Sequence, residues 1–436
     1  MIKMNFRSLF LFLLLVSSLS QAAERIYIKI GEPEFKKPVL AFNSKCSLEE
    51  CPQTKELEAV FASDMSFSNI LMLLPKDMYP AENKKMEIEA WKVSGAEYFL
   101  TMEIQKRTVA AKLVSLRTNE EMFSDSFKID DSIIDTAHLI SNQVYYRLTG
   151  QKGIFDTKIA FIGKRPKEAI KNLFTMDYDG RRLKQVTFYK TIMVSPAWSP
   201  DGNYIAYTRY ALTRYNGKGR LINPNLYLYD VKRDREKLIS DLQGQNSGAT
   251  WSPDGKTIAF TSSKDGNPNL YLYNIEEGTI NSLIQESGMD VEPSFSPDGK
   301  TLVFSSSRTG NPELYRLEMA TKKQTRITFS RYYNSSPSWS PATDRIAFAG
   351  LDNPFGKRAY FDIFLISPTG EQLERLTIDS GNNEDPSWSP NGRHLVFTST
   401  RHGGSDIYFI NSDGTGEKKL TSGILCYSPD WSPSWK

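Results

Sequence analysis

The sequence predicts an α/β N-terminal domain followed by an all-β six-bladed β-propeller, closed by the C-terminal strand. Three observations carry that prediction. A W/F-S-P element recurs at Trp198, Trp251, Phe295, Trp339, Trp388 and Trp431, at intervals of 53, 44, 44, 49 and 43 residues, the spacing of propeller blades and not of helical solenoids. Each of the first five leads into an IAF-like strand, an LYLY-like strand and an outer segment that often ends in Leu-Thr. The third observation is a mismatch at the two ends of this region. Strands at 158–161, 173–176 and 183–187 have no W-S-P before them, and the W-S-P at Trp431 has no strands after it. These two incomplete units complete one another, so the tail supplies the innermost strand of the blade begun near Lys158. That join leaves no open edge in the ring.

The chain opens with Lys3 and Arg7 ahead of an apolar run at 9–16, followed by Ser17, Ser18, Ser20 and Ala22. This is the order of a secretory signal peptide, expected over residues 1–22 with cleavage before Ala23. The apolar run is too short to span a bilayer, so an exported soluble protein is expected. Losing Lys3 and Arg7 takes the formal charge from +3 to +1. A balance that near neutrality argues against a nucleic-acid partner, which would need a clustered basic excess.

Residues 23–152 form the expected N-terminal domain. Its first segment is Ala23, Glu24, Arg25, Ile26, Tyr27, Ile28, Lys29 and Ile30, in which isoleucines alternate with polar or aromatic residues. That is one strand's worth of pattern, either an edge strand of the domain or a segment that joins a partner's sheet. Leu57, Val60, Phe61 and Met65 recur at helical spacing, as do Ile133, Ala137, Ile140, Val144 and Leu148 behind Asp130 and Asp131. Segments 39–42, 98–104 and 109–116 read as strands. Cys46 and Cys51 are a candidate disulfide closing a small loop, or two separate thiols; Cys426 is left over beside the final repeat.

Residues 153–436 form the expected propeller. Second strands at 258–260, 302–304 and 346–348, and third strands at 226–229, 270–273 and 363–366, carry the β-branched and aromatic residues that suit a pleated surface. The Ser-Pro-Asp-Gly segments at 199–202, 252–255 and 296–299 suit tight turns between first and second strands: proline presets φ, and aspartate and glycine take the remaining geometry. Asp201, Asp254 and Asp298 are therefore read as turn residues and not as catalysts. Propeller connectivity puts the loops between outer and next inner strands on one face, together with the loops between second and third strands. The Ser-Pro-Asp-Gly turns lie on the other. The first face, the mouth, includes Gln245, Asn246, Gly248, Val291, Glu292, Asn334, Glu384 and Asp385.

No G-x-S-x-G elbow, H-E-x-x-H, C-x-x-C or P-loop is present. His138, His394 and His402 are scattered over a helix, a hairpin and a loop. No catalytic residue, metal ligand or cofactor is assigned, and the chain is expected not to be an enzyme.

Several segments together resemble the TolB family, periplasmic components of the Tol–Pal system of Gram-negative envelopes. They are AERIYIKIG at 23–31, AVFASDMSFSNIL at 59–71, EAWKVSGAEYFL at 89–100, LTGQKGIFDTKIAFI at 148–162, VSPAWSPDG at 194–202 and the closing W-S-P at Trp431. The KCSLEEC segment at 45–51 departs from that pattern. The resemblance implies a periplasmic adaptor, monomeric and without cofactor. Its propeller mouth would dock the peptidoglycan-associated lipoprotein Pal, and residues 23–30 would engage the inner-membrane protein TolA, with other outer-membrane proteins as further partners. It also implies a role in outer-membrane integrity and constriction at cell division. Gln245, Gly248, Val291 and Glu292 correspond, by distance from the W-S-P element, to family positions implicated in Pal binding; Asn246, Glu384 and Asp385 share their face.

Charge placement adds an expectation. Lys164, Arg165, Lys167, Arg209, Arg214, Lys218, Arg220, Arg308, Lys357, Arg358 and Arg401 all fall between second and third strands. They would form a basic rim around an acidic throat at Asp290, Glu292, Glu384 and Asp385, steering an acidic partner. The competing reading is a periplasmic propeller enzyme or carbohydrate-binding protein with its site in the central channel.

Overall fold

A computed structural model of the chain describes residues 37–434 apart from 48–50, 82–87, 131, 169, 216–218, 330–331, 352–358 and 379, and only the backbone within 213–221. The expected signal peptide at 1–22 and the expected partner-binding strand from Ala23 to Ile30 lie outside the described residues.

The N-terminal region is a five-stranded sheet with helices packed on it. Its strands are β1 (Val39–Cys46), β2 (Met72–Leu73), β3 (Tyr98–Gln105), β4 (Thr108–Ser115) and β5 (Glu120–Lys128), in the order β2-β1-β3-β4-β5. β1 runs parallel to β2 and β3, while β3, β4 and β5 form an antiparallel meander. The strand β5 has no counterpart in the sequence reading. Its segment EEMFSDSFK buries only Phe123, so an exposed edge strand left no apolar alternation to read. Helix α1 (Gln53–Ser68) buries Leu57, Val60, Phe61 and Met65, the spacing read from sequence. After the short α2 (Ile88–Val93), α3 (Ile133–Thr149) starts at Ser132, whose hydroxyl accepts from the Ile134 N–H. Gly150 ends it with φ of 71°, the left-handed conformation in which glycine carries no Cβ penalty. Cys46 and Cys51 are joined, tying the end of β1 to the start of α1.

The propeller consists of six four-stranded sheets. Blades 1 to 5 begin with inner strands Met193–Trp198, Asn246–Trp251, Asp290–Phe295, Tyr333–Trp339 and Asn383–Trp388. Blade 6 takes its inner strand, Leu425–Trp431, from the end of the chain and its other three, Lys158–Lys164, Asn172–Asp177 and Lys184–Gln185, from the beginning of the propeller. The ring is thus closed by the C-terminal strand. One apolar cluster runs from Leu57, Phe61, Val144 and Leu148 of the N-terminal region into Ile159, Phe161, Phe409 and Trp431 of blades 5 and 6, so the two regions share a core.

The Ser-Pro-Asp-Gly segments are turns. The Gly202 N–H donates to the Ser199 carbonyl at 2.9 Å, and Asp201 accepts from both the Ser199 hydroxyl and the Asn203 N–H. The same bonds recur at 252–256 and 296–300. Each aspartate is used up by its own turn.

Candidate mouth and central channel

Every inner strand is bulged at the same place. Ser195, Gly248, Glu292, Ser336, Asp385 and Ser428, each three residues before the blade's aromatic, have φ between +46° and +61°. The ladder to the second strand shifts register there in all six blades. In five blades the next residue is proline (196, 293, 337, 386 and 429), which has no N–H to give the ladder, so the strand interior accepts it only at such a bulge. This Pro-x-W spacing was the sequence signal for the bulge.

The bulge divides the side chains of each inner strand. Five residues before the aromatic stand Met193, Asn246, Asp290, Asn334, Asn383 and Cys426, all 0% exposed. Burial pushes the Cys426 thiol up to about 12. Two residues later, the left-handed position faces the central channel, a cavity of about 470 Å³ lined by the bulge residues and the Trp-Ser-Pro segments below them.

This division corrects three sequence expectations, for Asn246, Asn334 and Asp290. Asn334 is 0% exposed and its amide donates to the Glu313 carboxylate at 3.0 Å. Asn246 does not face the mouth either. Its amide donates to the carbonyls of Pro224, Leu242 and Gly244 while its oxygen accepts from Ser240 and Ser262. Asp290 is not a throat acid, because the Arg308 guanidinium holds both its oxygens at 2.9 and 3.0 Å. Of the other mouth residues, Gln245 is exposed, while Gly248, Val291, Glu292, Glu384 and Asp385 are partly exposed around the upper channel.

Three of the expected rim cations are spent on structure. Arg308 stacks on Tyr315 while pairing with Asp290. Arg401 bonds Asn383 and pairs with Glu417 at 2.6 Å over the ring of Tyr408. Arg209 lies between Tyr189 and Tyr227 and pairs with Glu236 at 2.8 Å. These three cations lock strands within or between blades and are neutralised where they stand, which leaves them little long-range field for steering. Arg165 and Lys167 remain exposed. The side chains of Arg214, Lys218, Arg220, Lys357 and Arg358 lie outside those described.

The channel wall holds three carboxylates. Glu292 accepts from the Ser336 N–H at 2.7 Å. Asp385 accepts from the hydroxyls of Ser336 and Ser428 at 3.0 and 2.9 Å. Asp430 accepts from the Trp198 N–H at 2.6 Å and the Ser387 hydroxyl at 3.2 Å, and so bridges blade 6 to blades 1 and 5. Burial, reinforced by the charges of Asp385 and Glu384, pushes the Glu292 carboxyl up to about 7 against the opposing Ser336 bond. Burial likewise pushes Asp430 up to about 7, opposed by its two donors. Glu384 is raised by burial and by Asp385.

A carboxyl whose pKa is higher folded than unfolded binds protons more tightly in the folded state, so stability falls as pH rises between the two values. For Glu292 that window runs from the ordinary carboxylate value, about 4.3, to about 7. The unfolding midpoint in urea should therefore drop between pH 5 and pH 7. Glu292→Gln, which keeps an acceptor for Ser336, should flatten that drop and raise stability at pH 8. An unchanged slope in the variant would mean that Glu292 does not titrate in this range.

Residues 145–361 match the family model described as the TolB beta propeller domain. The Tol-Pal system protein TolB of Alcanivorax borkumensis is 30% identical over 224 residues, 49% of each chain. That of Desulfotalea psychrophila is 29% identical over 276 residues, 59% of each. The chain thus spans about half the length of the curated relatives it matches. The crystal structure of TolB from Acinetobacter baumannii superposes with a TM-score of 0.77 at 25% identity, covering 91% of this chain and 97% of that one.

Proposed function

The chain belongs to the TolB propeller family, and on that premise we propose that it is a non-enzymatic adaptor of the Tol–Pal system working in the periplasm. Its propeller mouth docks the lipoprotein Pal, and its segment 23–30 engages TolA, in support of outer-membrane integrity and constriction at division. The observation that carries this reading is the upper channel. Gln245, Gly248, Val291, Glu292, Glu384 and Asp385 come from three blades, and the left-handed bulges bring Gly248, Glu292 and Asp385 to one rim. Among the described residues no hydrogen bond or ion pair is made by the Glu384 side chain, which stands on the inner strand of blade 5. It offers a partner an acceptor that costs no internal bond.

A site in the channel itself is the second reading, favoured by the two perturbed acids Glu292 and Asp430 in one cavity. Asp430 is committed to bonds between blades, which makes it a structural residue first.

A pull-down from detergent-solubilised envelopes tests the adaptor. The chain from Ala23 onward should recover a Pal-like lipoprotein and a TolA-like protein. Glu384→Lys, a substitution at a partly exposed position, should lose the lipoprotein at least tenfold while keeping its melting temperature. Deleting 23–30 should lose only the TolA-like protein. If the unaltered protein recovers neither partner, the adaptor reading fails.

A further inference from the structure

The mouth is the apolar face of the propeller. Of the exposed bulky side chains described in it, only Leu183, Leu238 and Leu373 stand away from the mouth loops and strand ends. Over blade 4 this surface is continuous. Tyr333, 40% exposed at the start of that blade's inner strand, meets the partly exposed Phe361 ring edge-on at 5.5 Å. Phe361 is tied in turn to the start of the blade 5 inner strand. Its N–H donates to the Asn382 side chain at 3.1 Å, and its carbonyl accepts from the Asn383 N–H at 2.8 Å. Glu384 is the next residue. An aromatic pair and a carboxylate thus share one stretch of rim, carried by two neighbouring blades.

The charge beside this pair is negative and lacks a counter-ion among the described residues. Burial raises the Tyr333 phenol and the charges of Glu292 and Glu384 raise it further, so the ring lies within reach of both carboxylates. Glu292 and Asp385 accept from a backbone N–H and from serine hydroxyls, not from a cation. Lys171, on which Asp385 acts, is seated over the Tyr427 ring at 3.5 Å on blade 6. Elsewhere the propeller joins ring, carboxylate and cation by itself. Arg308 lies 4.7 Å from the Tyr315 ring while pairing with Asp290, and Arg401 lies 4.2 Å from Tyr408 while pairing with Glu417. Arg209 lies 4.1 Å from Tyr189 and pairs with Glu236. A cation over an aromatic face and against a carboxylate is held from both sides. Four residues past the second-strand phenylalanine, blades 2, 3, 5 and 6 have Lys264, Arg308, Arg401 and Arg165; blade 4 has Asp352. Ring and acid are in place over blade 4 for a cation that the described residues do not bring.

We propose that the docked partner seats a basic side chain here, an arginine or lysine that lies on the Tyr333–Phe361 pair and ion-pairs with Glu384 and Glu292. This reverses the expected acidic partner, because three of the rim cations are neutralised in place and the channel acids are not. The inference rests on the adaptor reading for the partner's identity, and on this recess alone for its chemistry. Binding should also depend on pH. Burial, with the charges of Asp385 and Glu384, holds the Glu292 carboxyl up to about 7. Asp385 and Tyr333 face it from blades 5 and 4, and Asp430 stands in the same cavity. A docked cation favours the ionised carboxylate, so affinity should rise from pH 5.5 to pH 8.

Fluorescence anisotropy with two labelled peptides, Gly-Arg-Gly-Arg-Gly and Gly-Glu-Gly-Glu-Gly, tests the recess on the chain from Ala23 onward without any envelope partner. The arginine peptide should bind and the glutamate peptide should not. Tyr333→Ala and Glu384→Gln should each weaken binding about fivefold with little change in melting temperature. Tyr333→Phe, which keeps the ring, should bind as the unaltered protein does. Glu292→Gln should flatten the rise in affinity between pH 5.5 and pH 8. No binding of the arginine peptide, or binding that Tyr333→Ala and Glu384→Gln leave intact, overturns the proposal, whatever the pull-down recovers. So does binding that appears only in Lys357→Ala with Arg358→Ala, two cations outside the described residues, since the chain itself would then fill the recess. Arginine-peptide binding at the recess with no lipoprotein in the pull-down would overturn the adaptor reading alone and leave the recess to another basic partner.

Discussion

Asp64→Ala should destabilise the protein by about 3–5 kcal/mol, the cost of removing one partner from a buried polar network. Asp64 is 0% exposed on α1. It accepts from the Tyr178 hydroxyl at 2.6 Å and bonds His138 Nδ1 at 2.9 Å. These three residues come from α1, α3 and the end of a blade 6 strand, so one carboxylate pins both helices to the propeller. The rings of Phe67 and Phe155 pack edge-on against Tyr178 and exclude water. Alanine would leave a phenol and an imidazole buried without an acceptor. Asp64→Asn should cost less, because its amide oxygen can still take the Tyr178 proton.

The pH dependence separates these two variants from a simple packing loss. Burial alone would lower the His138 pKa, but the hydrogen bond and charge of Asp64, with Asp177 and Asp179 behind it, raise it above its ordinary value. A histidine raised on folding contributes stability that is complete below about 6.5 and is lost as pH rises through the folded value. The difference in unfolding free energy between the unaltered protein and Asp64→Asn should therefore be larger at pH 5.5 than at pH 8.5. Urea melts at the two pH values measure it. A gap independent of pH would show that His138 stays neutral throughout.

The second large effect lies at the ring closure. Trp431→Ala should cost about 3–5 kcal/mol from the cavity alone. Trp431 is 5% exposed, donates from its indole to Thr157 at 2.8 Å and from its backbone to Ser387 at 3.0 Å, and meets the ring of Phe409. Trp251→Ala is the matching control within the ring, with a comparable burial and an indole bond to the Ala197 carbonyl. The cavity costs should be similar. Only Trp431 sits on a strand held to its blade with no covalent link to the neighbouring strand, so its loss should also open the seam between blades 5, 6 and 1. Limited proteolysis should cut Trp431→Ala within blade 6 well before the global melt and should leave Trp251→Ala intact at the same temperature. Equal protease resistance would remove any special role for the closing strand.

Much of this fold was legible in the sequence. Second and third strands, such as those at 258–260 and 270–273, announced themselves because both faces are buried and their side chains are accordingly β-branched or aromatic. The Ser-Pro-Asp-Gly turns were legible because their geometry is fixed within four residues. Circular closure was legible too, since an orphan inner strand and an orphan blade can be counted in one dimension. The exposed edge strand at 120–128 was missed, because a strand that buries one residue carries no alternation. Asn246 and Asp290 were placed at the mouth and its throat because propeller connectivity puts the loops that carry them on that face. A left-handed residue between them and the aromatic rotates the chain, so the channel-facing residues are Gly248 and Glu292.

The sequence by itself thus determined the architecture of this protein: the repeat, the blade count, the turn face and the closing strand, all consequences of local patterning that recurs. The tertiary structure alone decided which charged groups are free. Arg308 and Arg401 look like rim cations until their partners Asp290, Asn383 and Glu417 are seen beside them. Asp64 stands 74 positions from His138 and 114 from Tyr178, with no pattern linking them, until folding brings the three into contact. Whether a charge steers, clamps or titrates depends on its neighbours within a few ångströms, and those neighbours come from parts of the chain that no local pattern connects.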